Sequence, residues 1–195
     1  MFRRILLSSE TAALFALLLL VEDSRYPLLL LAAALVHECG HLLAAHLCGA
    51  KFKLSGVGLG GICIEFSCMN LSYQKELAIV LAGALFNFIA ATLFTIMNKF
   101  HIQSLPVSFF VMCNFTLGII NLVPAKFFDG STALKCALLL TFDDPAALKI
   151  HAVITILTSI LLWLTAVYIQ LILGGNLSLL LISIYLMLES FSPQH

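Results

Sequence analysis

The stretch "ALVHECGHLL", Ala34 to Leu43, decides how this chain is read. Two histidines and a glutamate stand inside a run that otherwise looks like the middle of a membrane helix. Ionisable side chains are expensive in hydrocarbon and mark function there. On an α-helix, positions i and i+4 share a face about 6 Å apart, so His37 and His41 reach one metal ion. Glu38, beside the first histidine, is placed to act on a water at that ion. Two imidazoles with a carboxylate suit zinc and leave a fourth position open to water. Zinc brings the pKa of such a water toward about 7 and polarises a carbonyl, while the glutamate takes and returns protons. These are the parts of peptide-bond hydrolysis.

Composition agrees with a membrane setting. Of 195 residues, 62% are hydrophobic and only 10% charged. Soluble domains carry roughly 25% charged residues, so this chain is expected to be an integral membrane protein with the lipid bilayer as solvent. Its net charge is +0 and it has no basic run, so nucleic acid is excluded as a partner. The 6 cysteines are scattered without a C-x-x-C pair and read as small buried hydrophobes.

A window of about 19 residues finds six spans, roughly 5–21, 26–48, 75–97, 105–123, 150–173 and 176–190. The first is read as a retained span, because "VEDSRYP" and no small-residue cleavage site follows it. Between spans two and three, Phe52/Leu54 and Ile62/Ile64/Phe66 alternate at period two, which predicts a small β-hairpin or sheet. The expected fold class is therefore an all-α polytopic membrane protein of six transmembrane helices with that hairpin inserted. It is read as one domain over 1–195, with a catalytic core at about 26–135 and a C-terminal helical hairpin at about 150–190. Placing the N-terminus inside puts Arg3, Arg4, Lys51, Lys53, Lys75, Lys126, Lys135 and Lys149 on the cytosolic side, against Arg25 and Lys99 outside. That bias predicts a multi-pass protein of the cell membrane with both termini cytosolic.

"HECGH" within a membrane helix resembles the site-2 protease family of intramembrane zinc metalloproteases. The family's other major signature is present as "NLVPAKFFDG", with Asn121, Pro124, Asp129 and Gly130 in register. A weaker one, G-P-x-x-N, is seen as "GALFN", in which Gly83 and Asn87 match and Ala84 replaces the proline. The resemblance implies that Asp129 is the third zinc ligand and that Asn87 and Asn121 contact substrate or support the site. Asp129 approaches from the cytosolic side of the helix that begins at Pro106, and Gly130 is expected to permit the tight turn that aims it inward. The chain departs from the family in "AKFF", where further prolines are often found, and in Ser131, where a second glycine is common.

The resemblance implies cleavage of a peptide bond in or near a transmembrane segment of a membrane-tethered regulator, such as a transcription-factor precursor or an anti-sigma-like protein. The span count resembles the compact sporulation-factor-processing branch, in which a regulatory membrane partner is possible. An unwound substrate segment is expected to add as a strand to the hairpin edge at 51–66, and Glu65 is a candidate gate. The alternative is a non-catalytic metal-binding protein or transporter. Against it, the spans hold almost no ionisable residues outside the one cluster. A different membrane metalloprotease would take its third ligand from Glu76 or Glu189. His46 is read as structural, His101 as lying in an outer loop and His151 at an interface, none of them as a ligand.

Overall fold

The computed structural model describes residues 2–5, 26–58, 61–67, 71–100, 105–126, 128–173 and 184. The chain divides into two compact units, Met1–Ile119 and Ile120–His195.

The first unit is built on helix α1, Tyr26–Leu47. Pro27 lies in its first turn, where a missing N–H costs nothing. The helix ends where Gly49 takes φ +73°, a conformation glycine adopts without a Cβ penalty. Gly49 N–H then donates to the His46 carbonyl at 3.0 Å and Ala50 N–H to that of Ala45 at 2.9 Å, which satisfies carbonyls otherwise orphaned at a helix end. Lys75 Nζ donates to the Cys48 carbonyl at 3.1 Å.

The turn leads into a three-stranded antiparallel sheet. Strand β1 is Phe2–Ile5, β2 is Lys51–Gly58 and β3 is Gly61–Ser67, in the order β1-β3-β2. Register sets Arg4 and Lys53 on either side of Glu65, and the β2/β3 ladder shifts between Leu54 and Gly56. Helix α2, Tyr73–Phe100, follows and packs on α1. Small residues let the two backbones close up. A Cβ at Gly40 would lie 2.6 Å from the Ala82 carbonyl oxygen, and Ala33 and Ala45 are also buried on α1. Small side chains at such seams favour close helix packing in lipid. Leu28, Leu35, Leu43 and Leu47, by contrast, are exposed. Helix α3, Leu105–Asn121, lays Phe110 and Cys113 against Ala33 of α1, and Phe94–Phe110 and Phe88–Phe115 ring contacts hold it to α2.

The second unit holds α4, Asp129–Leu139, packed on the long helix α5, Asp144–Leu173.

The expected fold class needs correction. Three described helices, not six, are long and apolar enough to cross a membrane: Tyr26–Leu47, Tyr73–Asn98 and Asp144–Ile172. The span expected at 105–123 is the 17-residue α3, about 26 Å long at 1.5 Å per residue and short of a hydrocarbon core of about 30 Å. Ile5, read as the start of a first helix, closes strand β1 instead. The insertion is therefore a sheet that recruits the N-terminus, so the protein is not an all-α bundle with a hairpin added. The rest of the span expected at 5–21 and all but residue 184 of that at 176–190 lie outside the described residues.

Candidate metal centre

In the first unit, His37 and His41 occupy the face of α1 turned to α2, and both are buried. His41 Nδ1 lies 2.8 Å from the Ile79 carbonyl oxygen. A carbonyl only accepts, so Nδ1 carries the hydrogen and the neutral ring presents a lone pair at Nε2. That Nε2 is 3.1 Å from His37 Nε2, with the rings 4.7 Å apart and nearly perpendicular. Two nitrogens each about 2.0–2.1 Å from a tetrahedral zinc would be separated by about 3.3 Å. The observed spacing fits that requirement, and a carbonyl on the far nitrogen is the partner that fixes ring orientation in zinc sites. Glu38 follows His37 on the helix and is half-buried.

Gly83 on α2 lies directly against the pair. A Cβ there would be 2.6 Å from His41 Cε1 and 2.7 Å from His37 Cε1, well inside the carbon–carbon optimum of about 3.5–4.0 Å. Glycine is required at this position by the imidazoles, not by backbone conformation. Gly83→Ala is expected to push the rings apart and weaken zinc retention about tenfold, as measured by chelator competition; unchanged affinity would show the rings free to move aside. Asn87, one turn further along α2, is fully buried and neither of its amide atoms has a hydrogen-bond partner. A buried amide left so costs about 1–3 kcal/mol.

In the second unit, Asn121 closes α3 and is half-buried. Successive turns follow it: Val123 N–H donates to Ile120, Ala125 N–H to Val123 and Phe128 N–H to Ala125, at 3.1, 2.8 and 2.9 Å. These deliver Asp129 as the first residue of α4, with its side chain buried. A carboxylate is favoured there by the helix dipole. The reason for Gly130 differs from the expected one. Its φ is not positive; instead, a Cβ would run into the Leu122 backbone and lie 2.6 Å from the Val123 carbonyl oxygen. Close approach of two backbone segments demands the glycine.

Of the remaining candidates, His46 is exposed in the last turn of α1, while Glu76 is half-buried in the first turn of α2. Glu65 sits within β3. His101 and Glu189 lie outside the described residues. His151 is buried and hydrogen-bonded to Ser131. Sequence reading missed that pair, although an ionisable residue in an apolar helix was its signal.

No family model matches the chain. It is 28% identical over 163 residues to a zinc metalloprotease from Methanocaldococcus jannaschii, covering 81% of this chain. The chain spans 46% of that relative's length. Among solved structures it is similar to a site-2 protease from the same organism, with a TM-score of 0.63 and 23% identity. That likeness covers 97% of this chain and 94% of the other, and it establishes the fold.

Proposed function

We infer that this chain, a membrane protein with the fold of a site-2 protease, belongs to that family and is a zinc metalloendopeptidase acting within the bilayer. Its substrate is a membrane protein, cut in or near a transmembrane segment. The observation that carries this reading is the His37–His41 pair, two buried imidazole nitrogens 3.1 Å apart with the His41 ring fixed from behind by the Ile79 carbonyl. His37, His41 and Asp129 would hold the ion. Each is buried and offers one ligand atom. Asp129 also opens the D-G motif that the family resemblance assigns to the third ligand.

Zinc in this setting supplies a nucleophilic water and polarises the scissile carbonyl. Glu38 takes the proton from the attacking water and gives it to the leaving amine, so atoms and charge balance over the cycle. The unpartnered amide of Asn87 supports a role in contacting substrate, and Asn121 stands where the loop to Asp129 begins. The catalytic parts fall within residues 26–135. The protein is read as multi-pass with both termini cytosolic, acting on a membrane-tethered regulator of the transcription-factor-precursor or anti-sigma kind.

A substrate helix must unwind before its backbone can be attacked, and its freed N–H and C=O groups need partners at membrane depth. Strand β2 is an edge strand of the sheet, and strand addition there would provide them. Prolines introduced singly along residues 52–57 are expected to reduce cleavage of a tethered reporter while zinc stays bound. Cleavage untouched throughout the scan would exclude this edge. The reading as a whole is tested by co-expressing the chain with tagged, membrane-tethered regulators and comparing it with its Glu38→Gln variant; equal processing by the two would defeat it.

A further inference from the structure

The start of α4 lacks the usual support. Phe128 holds the cap position with φ −90° and ψ 154°, and no side chain caps the helix. A polar cap contributes about 1 kcal/mol, and it is missing next to Asp129. A second helix holds the same turn, through a carbonyl rather than through the free N–H groups that a cap would take. His151, on α5, brings Nε2 to 3.0 Å from the Ser131 carbonyl oxygen and 3.0 Å from Ser131 Oγ. Thr155 Oγ1 lies 3.5 Å from the same nitrogen, and Ser159 Oγ donates to the Thr155 carbonyl at 2.9 Å. The Ser131 carbonyl only accepts, so His151 Nε2 carries the hydrogen that binds it. Ser131, His151, Thr155 and Ser159 are each at least nine-tenths buried. A polar chain of that length between apolar helices is costly unless every contact is used.

We propose that His151 is a positioning residue for the metal-binding carboxylate: by holding Ser131 it fixes the first turn of α4, and with it Asp129. The other side of that turn is fixed by Gly130 lying against the Leu122–Val123 backbone. Asp129 thus sits between two anchors, one from the preceding loop and one from α5. This proposal rests on the reading of Asp129 as a ligand. It assigns His151 no contact with substrate and no part in proton transfer.

The test compares the parent protein with Asp129→Ala, His151→Ala, His151→Leu, His151→Gln and Ser159→Ala. All are purified in one detergent; zinc affinity is read by chelator competition, and thermal unfolding of the metal-free protein is recorded alongside. His151→Ala is expected to weaken zinc about tenfold, the scale of losses behind a metal ligand. His151→Leu keeps the seam filled and carries the same expectation if the alanine variant fails to fold. Glutamine, whose amide N–H can reach the Ser131 carbonyl, is expected to restore most of the affinity. Ser159→Ala, two turns further along α5, is expected to leave affinity unchanged. Parent-like affinity in His151→Leu overturns the proposal. So does a loss in Ser159→Ala equal to that in the His151 variants and proportional to lost thermal stability. Parent-like affinity in Asp129→Ala is a separate result, which removes the ligand reading itself.

Discussion

Glu38→Gln is expected to lower peptide-bond cleavage by about 10²–10⁴-fold or more while leaving bound zinc at the parent level. The side chains are nearly isosteric, so the α1–α2 seam is undisturbed, and Glu38 is not among the donors that suit the ion. What glutamine cannot do is accept a proton from water and release it to the departing amine. Separation of metal content from turnover distinguishes a base from a ligand. Cleavage retained by this variant would mean that another group moves the proton, and zinc lost from it would mean that Glu38 holds the ion.

Asp129→Ala is expected to have the opposite signature, with zinc and activity lost together. Two imidazoles alone leave a site short of the three protein ligands of catalytic zinc centres, so metal content after dialysis should fall well below the parent value. His37→Ala should behave in the same way. Glu76→Ala should retain its zinc, because Glu76 lies in the first turn of α2 and outside the donor group among the described residues. Parent-level zinc in Asp129→Ala, with loss in Glu76→Ala, would move the third ligand to α2.

What the sequence made legible, and what it hid, divides along local and non-local lines. The pairing of His37 with His41 follows from a four-residue spacing on one helix, a relation helical geometry fixes without reference to the rest of the chain. Strand β1 depends on Phe2–Ile5 finding β3 some sixty residues away, and no periodicity in four residues announces that. Only Ile5 of the four falls in the hydrophobic window at 5–21, and pairing prevails at the start of the span expected there. Gly83 and Gly130 were visible as motif letters, yet their reasons are contacts with side chains and backbone elsewhere. Gly130 shows the limit most clearly, since a turn conformation was expected and a close approach to Leu122 was found. His151 carried a signal, but its partner Ser131 lies twenty residues earlier, beyond any helical spacing.

The proposed sharing of one ion by side chains from two separate stretches of chain is tested most directly by a ligand exchange. Asp129→Cys, loaded with cobalt(II) in place of zinc, should show intense thiolate-to-cobalt charge-transfer absorption that cobalt-loaded parent protein lacks, since a cysteine at a ligand position binds as thiolate. Cobalt bound by this variant with a spectrum identical to the parent's would mean that residue 129 does not touch the ion, and the account of the active site would be wrong.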